Sequence, residues 1–135
     1  MDIENRINAF LDGAPHAVVG ATTVRSKYGN KVLRAYQQND RPVHAINPRG
    51  GEIEGLQAFV SLSGMPEVPH GISIITPPKI TEAVMREAVE LGIKHAWMQP
   101  GAESAEAIRI GEEGGMNVIG DGSCLLVMLG YTELA

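Results

Sequence analysis

The sequence predicts an α/β fold of three layers, a doubly wound parallel sheet of about five strands with helices on both faces. Three observations lead to this prediction. Five short apolar runs show no strict alternation of apolar and polar residues, which is typical of strands buried on both faces of a parallel sheet. Segments with helical spacing lie between these runs. The runs begin 22 to 29 residues apart, which is close to one strand and one helix per interval.

The first part of the chain reads as helix, strand, helix and strand. The first helix has Asp2 as its N-cap and Gly13 after its end, and its apolar stripe consists of Ile3, Ile7, Phe10 and Leu11. We expect strands at residues 17–20 and 43–46 and, between them, a helix over about residues 29–39.

The alternation continues after a segment without clear periodicity. Residues 50–67 contain several Gly and Pro residues, so we expect them to be mostly irregular, with at most a short helix around residues 58–62. Pro77 and Pro78 open a helix that ends before Gly92. The remaining predicted elements are strands at residues 72–75, 95–98 and 117–119, a helix over about residues 104–113, and an apolar run at residues 125–129.

Length and composition exclude several classes of protein. We expect residues 1–135 to form a single domain, because this length suffices for one hydrophobic core. With 44% hydrophobic and 20% charged residues and a mean hydropathy of -0.03, the chain is typical of globular proteins. No apolar run approaches the roughly 20 residues that cross a bilayer. The N-terminus lacks a signal peptide, and Cys124 is the one cysteine, so we expect no membrane association and a cytoplasmic location.

The chain is acidic as a whole but basic in one segment. The formal net charge is -5 and only six residues are aromatic, which argues against nucleic-acid binding. Residues 25–49 nevertheless carry six basic side chains against a single acid, Asp40. Such a segment suggests a small anionic ligand, and solvated surface charges are the equal alternative.

Candidate binding residues follow the predicted strands. In a doubly wound sheet, ligands bind at the C-terminal ends of the strands, near the point where the strand order reverses. After the first strand, a tight turn, two hydroxyls and backbone amides can face an anion at the next helix N-terminus. The dinucleotide fingerprint G-x-G-x-x-G is absent, and a plain strand-to-helix turn is the alternative. The candidates in this loop are Gly20, Ala21, Thr22, Thr23, Arg25 and Lys27.

Three later turns supply the other candidates. No acid precedes Arg49 in the turn after the second strand. Its planar guanidinium group can bind a phosphate on the ribose, which NADP and coenzyme A carry and NAD lacks. The turn after the third strand can form a rigid apolar wall, and Gln99 after the fourth can bond a ligand or remain in water. These candidates are Asn47, Pro48 and Arg49, then Thr76, Pro77 and Pro78, and finally Gln99, Pro100 and Gly101.

The sequence points to no catalytic or metal-binding group. The four histidines are scattered singly, without the spacing of metal ligands. Asp121 and Cys124 suggest an acid and a nucleophile, but no histidine adjoins the cysteine in sequence to act as its base. A buried or redox-sensitive thiol is the favoured interpretation of Cys124. We therefore predict no catalytic residues and no metal site.

Six short segments occur in an informative order along the chain. They are Val19-Gly20-Ala21-Thr22, Ala45-Ile46-Asn47-Pro48, Glu52-Ile53-Glu54-Gly55, Thr76-Pro77-Pro78, Trp97-Met98-Gln99-Pro100-Gly101 and Asp121-Gly122-Ser123-Cys124. Together they resemble the stand-alone CoA-binding proteins, which are similar to the N-terminal CoA-binding domain of the succinyl-CoA synthetase alpha subunit. The match spans nearly the whole chain, from the first helix to Cys124.

This resemblance implies a Rossmann-like fold with coenzyme A over the first loop. It implies that the diphosphate and ribose lie over Gly20, Ala21, Thr22 and Arg25, and that the phosphorylated ribose is bordered by Asn47, Pro48 and Arg49. It further implies that the adenosine or pantetheine lies along Thr76 and Pro77, with the turn at residues 99–101 toward the thiol.

Two features depart from the family pattern. Family members usually carry an acid before the third strand, where this chain has His70-Gly71. The chain also stops before the phosphohistidine-bearing domain of the synthetases, so we expect no ligase chemistry.

Three functions stand as hypotheses. The leading one is a module that binds coenzyme A or an acyl-CoA without catalysis, as a carrier, a sensor or a partner of another enzyme. The second is a small NADP-linked oxidoreductase, which the fold and Arg49 favour and the missing fingerprint opposes. The third is an assembly or regulatory protein without a ligand, in which residues 125–129 cover the sheet or a dimer surface. A protein partner or a second copy of the chain is compatible with each.

Overall fold

The computed structural model describes residues 2–133 and contains the expected parallel sheet. Within these residues the strands are β1 (His16–Val19), β2 (Val43–Ile46), β3 (Glu52–Ile53), β4 (Leu56–Gln57), β5 (Gly71–Ile74), β6 (His95–Met98) and β7 (Asn117–Ile119). Five of them form one parallel sheet in the order β2-β1-β5-β6-β7. This order confirms the doubly wound α/β fold, and it reverses at β1.

Helices cover both faces of the sheet. They are α1 (Ile3–Leu11), α2 (Tyr28–Gln38), α3 (Pro78–Leu91), α4 (Ala105–Glu113) and α5 (Leu125–Met128) among the described residues. Because successive strand residues point to opposite faces, Val18 packs with α1, α2 and α5, whereas Val19 packs with α3 and α4. The sheet therefore separates two apolar cores, as the three-layer prediction requires. Within residues 2–133, no helix is long and apolar enough to span a membrane.

The helix ends follow the signals read from the sequence. The Asp2 carboxylate accepts a hydrogen bond from the Asn5 N–H at 2.8 Å, and the Ser104 hydroxyl caps α4 in the same way. Pro78 is the first residue of α3, and Gly92 ends this helix with a φ of 80°. These local interactions explain why the helix boundaries could be predicted closely.

The segment at residues 50–67 differs from the prediction. It contains the antiparallel hairpin β3–β4 and a 3₁₀ turn at Leu62–Gly64, and the helix considered for residues 58–62 is absent. The hairpin turns through Glu54 and Gly55, whose φ values are +48° and +82°. Strands of two residues are too short to show periodicity, so sequence reasoning missed them.

The positions of two strands also differ from the prediction. β1 and β5 each begin and end one residue earlier than expected, at His16–Val19 and Gly71–Ile74. Gly20 and Ile75 consequently lie beyond their strands, in the turns at the C-terminal edge of the sheet.

The last described residues form a strap across α2. Asn39 donates from its side-chain amide to the Leu129 carbonyl at 2.9 Å. Gln38 exchanges two hydrogen bonds with the backbone of Thr132, at 2.7 and 3.1 Å. Glu133 lies 2.9 Å from the ammonium group of Lys31. The strap thus contacts α2 in its first turn and at its C-terminal end.

A cluster of three histidines connects α1 to the N-terminal edge of the sheet. The ring of His70 lies 5.6 Å from that of His16 and 4.3 Å from that of His95, measured between centroids. His16 donates to the Phe10 carbonyl at 2.8 Å, and His70 donates to the Ala9 carbonyl at 3.0 Å. His70, one of the residues that depart from the family pattern, therefore helps to hold the end of α1.

We predict that acid destabilises the fold through His16. Burial lowers the pKa of His16 from its ordinary value to about 4, and the nearby His70 and Arg41 act in the same direction. The unfolded chain therefore binds more protons between about pH 6.5 and 4, and stability is lost as the pH falls through this window. At pH 5 the loss amounts to about 2 kcal/mol of unfolding free energy, which urea titrations at pH 7.5 and pH 5 would measure.

The His16→Gln variant is the control for this measurement. It removes the titrating group, so its unfolding free energy should fall by about 2 kcal/mol less than that of the wild type between the two pH values. Equal pH dependence in the two proteins would show that His16 is not responsible.

Candidate functional site

The candidate site lies where the parallel strands end, at the reversal of the strand order. The chain leaves β1 toward α2 on one face of the sheet and leaves β5 toward α3 on the other face. Loops that diverge in this way open a crevice between neighbouring strands. Cavities along this edge bring together many of the residues predicted from the sequence.

The first cavity has a volume of about 420 Å³, and its lining mixes polar and apolar residues. It lies between the β1–α2 loop, the first turn of α2 and the end of β2. Five predicted residues meet here, and Tyr28, Gly29 and Ile75 join them without having been predicted as site residues. The lining is Gly20, Ala21, Thr22, Lys27, Tyr28, Gly29, Asn47 and Ile75.

Two glycines bring the walls of this cavity together. Gly20 has a φ of +99°, and a Cβ there would overlap the carbonyl oxygen of Ile75. A Cβ on Gly29 would in turn overlap the carbonyl oxygen of Gly20. The start of α2 therefore rests directly on the end of β1. The signal for Gly29 was available in the sequence, as a glycine at the predicted helix start nine residues after Gly20.

The N-terminus of α2 is suited to an anion. Its N-cap residue, Lys27, makes no side-chain capping bond, so the first N–H groups of the helix keep their partial positive charge in the cavity wall. The ammonium group of Lys27 adds a full charge at the same place. Together these groups provide the setting in which phosphates bind to proteins.

Asn47 connects the two loops that frame the first cavity. Its side-chain amide donates to the Ala21 carbonyl at 2.8 Å, and its side-chain oxygen accepts from the Arg49 N–H at 2.8 Å. Asn47 thereby fixes the turn that carries Pro48 and Arg49 relative to the β1–α2 loop. Both of these residues are exposed.

A second cavity, of about 320 Å³, is almost entirely apolar. It lies on the α3 side of Gly20 and includes the predicted Pro48 and Thr76. Most of its wall comes from the segment after β4 and from α3, and sequence reasoning did not assign these residues to a site. The lining is Val19, Gly20, Ile46, Pro48, Val60, Ser61, Leu62, Thr76, Ile80, Val84 and Glu87. Val60 is 59% exposed and Ile80 is 52% exposed, so this apolar surface is open.

A third, shallow depression extends the site past β5 toward β6. It has a volume of about 320 Å³ and is lined by Ile75, Thr76, Pro77, Pro100, Gly101 and Ala102. Four of the predicted residues meet here. Thr76 belongs to both this depression and the apolar cavity, so the two are continuous.

Five predicted residues do not line these three cavities, and the exposed Arg49 in the turn after β2 is one of them. Thr23 and Pro78 are exposed beside them. Gln99 is only 1% exposed, and its side-chain oxygen accepts from the Leu125 N–H at 2.9 Å, so it does not remain in water. It caps the start of α5 instead. The fifth residue, Arg25, is exposed and is turned toward Glu54, with 3.8 Å between Nε and the carboxylate.

Tyr28 connects the first cavity to Cys124. The Tyr28 hydroxyl and the Cys124 thiol form a hydrogen bond. Burial, followed by this bond, raises the pKa of the Tyr28 hydroxyl above its usual range. A phenol that holds its proton so firmly does not act as a base toward the thiol near neutral pH. Among residues 2–133, no three histidine, cysteine or acidic side chains, the cluster of His16, His70 and His95 included, are arranged to hold a metal ion.

Comparisons with known proteins give relatives over most of the chain. It is 29% identical over 129 residues to the ADP-forming acetate–CoA ligase I of Archaeoglobus fulgidus, covering 88% of this chain and 18% of the relative. It is 27% identical over 141 aligned positions to the alpha subunit of the ADP-forming acetate–CoA ligase II of Pyrococcus furiosus, covering 95% of this chain and 30% of the relative. The chain thus spans less than a third of the length of either ligase protein.

A solved structure gives a match of similar length. The chain is 38% identical to a conserved hypothetical protein from Pyrococcus furiosus and superposes on it with a TM-score of 0.80. The match covers 86% of this chain and 99% of that protein.

The family assignment comes from a match to a family model. The model described as the CoA binding domain matches residues 15–130. This range runs from just before β1 to the end of α5 and includes all six segments on which the resemblance was drawn. The match confirms that resemblance, and the chain belongs to the CoA binding domain family.

Proposed function

We propose that this chain binds coenzyme A or an acyl-CoA at the C-terminal edge of its sheet, as a non-catalytic carrier, sensor or partner module. The observation that carries the proposal is the pair of cavities of different character that meet at Gly20. One has a mixed lining with polar side chains and lies at a helix N-terminus, and the other is almost entirely apolar. A ligand that joins a diphosphate to flat or apolar groups fits both at once.

The first cavity supports the binding of the diphosphate. The N–H groups at the start of α2 and the ammonium group of Lys27 supply positive charge, and Thr22 supplies a hydroxyl. Gly20 and Gly29 carry no Cβ, so the start of α2 packs directly on the end of β1 and its N-terminus stays at the cavity. Ala21 and the neighbouring Thr23 complete the loop on which we expect the diphosphate and ribose to lie.

The turn after β2 supports the binding of the ribose phosphate. Arg49 is exposed and has no ion-pair partner within residues 2–133, so its guanidinium group is available to a ligand. Its backbone is fixed by Asn47, which also holds the β1–α2 loop. Pro48 lines the adjacent apolar cavity. The turn therefore places a guanidinium group beside an apolar surface.

The apolar cavity and the shallow depression support the binding of the uncharged parts. The cavity of Pro48, Val60 and Ile80 suits an adenine ring or the pantetheine arm. Thr76 and Pro77 continue this surface toward Pro100 and Gly101, where we expect the thiol end. Pro78 adds rigidity at the start of α3. The contribution of Gln99 would be indirect, through the start of α5 that it caps.

Two observations favour binding over chemistry. The hydrogen bond between Tyr28 and Cys124 leaves the thiol next to a poor base. The relatives are named acetate–CoA ligases, which supports coenzyme A as the ligand, but the chain matches less than a third of each. The ligase reaction is therefore not part of the proposal. A partner module would act together with another enzyme that supplies the chemistry.

Calorimetric titration tests the choice of ligand. The purified protein is titrated at one salt concentration with coenzyme A, 3′-dephospho-coenzyme A, NADP and NAD. We expect coenzyme A to bind tightest and 3′-dephospho-coenzyme A to bind at least tenfold more weakly, because a charged hydrogen bond contributes about 1.5–3 kcal/mol. Binding of NADP but not of coenzyme A would instead support the oxidoreductase hypothesis, and acetyl-CoA recovered unchanged after incubation would support a non-catalytic role.

The Arg49→Ala variant tests the contact with the ribose phosphate. We expect the affinity for coenzyme A to fall by about 1.5–3 kcal/mol, while the affinity for 3′-dephospho-coenzyme A stays the same. Arg86→Ala is the matched control, because Arg86 is an exposed arginine on α3 outside the cavities. Equal losses of affinity for both ligands would show that Arg49 does not contact the 3′-phosphate.

The Lys27→Ala variant tests the diphosphate position. We expect a loss of about 1 kcal/mol in coenzyme A affinity and a weaker dependence of that affinity on salt, because one fewer charge faces the phosphates. Lys94→Ala is the control, since Lys94 is an exposed lysine at the opposite edge of the sheet. An unchanged salt dependence in Lys27→Ala would argue against the first cavity as the phosphate site.

A further inference from the structure

A buried hydrogen-bond network fixes the backbone of the β1–α2 loop. Arg34 is only 4% exposed, and its guanidinium group donates to the Asn30 side chain at 2.6 Å and to the Arg25 carbonyl at 2.7 Å. Asn30 is fully buried and donates to the Thr22 carbonyl at 2.8 Å. Two loop carbonyls are thus held from beneath by α2, and the loop keeps its shape without help from a ligand.

Glu54 joins this network from the tip of the β3–β4 hairpin. Its carboxylate accepts from Asn30 at 3.1 Å and lies 3.8 Å from Nε of Arg25. Its backbone carbonyl accepts from Gln37 at 2.9 Å, which anchors the tip on α2. Its φ of +48° is one that asparagine or glycine adopts more readily. What glutamate adds at this position is therefore its carboxylate.

This carboxylate keeps Arg25 away from the first cavity. The Arg25 side chain lines a separate depression of about 260 Å³ together with Arg34, Gln37, Gln38 and Glu54. Yet Arg25 lies only two residues before Lys27, which lines the first cavity. The arginine side chain is 54% exposed and its ion pair is long, so the partner is easily exchanged.

We propose that Glu54 is a positioning residue that restrains Arg25 until a phosphate of the ligand takes the place of its carboxylate. This inference rests on the proposed function, because the competing phosphate is that of bound coenzyme A. Arg25 leaves Glu54, turns across the loop and pairs with the diphosphate, while Asn30 and Arg34 keep the loop backbone in place. Glu54 thereby lowers the affinity for phosphorylated ligands and leaves that for neutral ones unaffected.

The Glu54→Gln variant tests this restraint. Glutamine still accepts from Asn30 but no longer attracts Arg25, so we expect the affinity for coenzyme A to rise about two- to fivefold, the range for one exposed ion pair. In the Arg25→Ala background, the same substitution should produce no gain. Pantetheine, which lacks phosphate, should bind the wild type and Glu54→Gln equally.

The outcomes separate the inference from the proposed function. If coenzyme A binds neither the wild type nor any variant, both the proposed function and the inference are overturned. Coenzyme A that binds the wild type and Glu54→Gln equally overturns the inference alone, and so does a gain that persists without Arg25, because it shows general charge repulsion rather than release of the arginine.

A second measurement uses the wild type and does not depend on the stability of a variant. The side-chain Nε–H signal of Arg25 in a nitrogen-15 NMR spectrum should shift as coenzyme A is added, as its partner changes from carboxylate to phosphate. The signal of Arg109, which pairs with Glu106 and Glu113 on α4, is the internal control and should not move. An Arg25 signal that stays in place at saturating coenzyme A overturns the inference.

Discussion

The candidate site depends on one close approach of backbone, at Gly20, Gly29 and the carbonyl group of Ile75. Because neither glycine has a Cβ, the end of β1, the start of α2 and the end of β5 are in direct contact. This contact directs the helix N-terminus into the crevice where the strand order reverses. It also places the first cavity and the apolar cavity on either side of Gly20. A side chain at Gly29 would push α2 off the end of β1, and one at Gly20 would displace the turn after β5. Either change would disturb the two surfaces that a single ligand is proposed to span.

Half of the basic residues of the segment at residues 25–49 support the fold rather than the site. Arg34 and Arg41 donate to backbone carbonyl groups, and Lys31 pairs with Glu133. The charge that remains at the sheet edge is that of Lys27 and Arg49, with Arg25 held by Glu54. This small number of cations suits a ligand with a few phosphates and agrees with a protein whose net charge is -5.

The sequence was informative where structure is local. Capping residues, apolar stripes and buried runs predicted the main helices and the parallel strands. The turn after β1 was predicted to carry binding residues. The apolar cavity was missed because Val60 and Ile80 meet only after the chain has folded. The buried position of Gln99 depends on Leu125, which lies 26 residues further along the chain. The direction of Arg25 depends on Glu54, whose hairpin is too short to produce a periodic signal.

The strap across α2 has a consequence for the order in which the molecule forms. Gln38 and Thr132 are 94 residues apart in the sequence, and Asn39 and Leu129 are 90 apart. Closing a loop of this length is entropically unfavourable until the intervening chain is already compact. The strap can therefore form only once the strands and helices between these residues have brought α5 next to α2. The last described residues thus secure the helix whose N-terminus borders the first cavity.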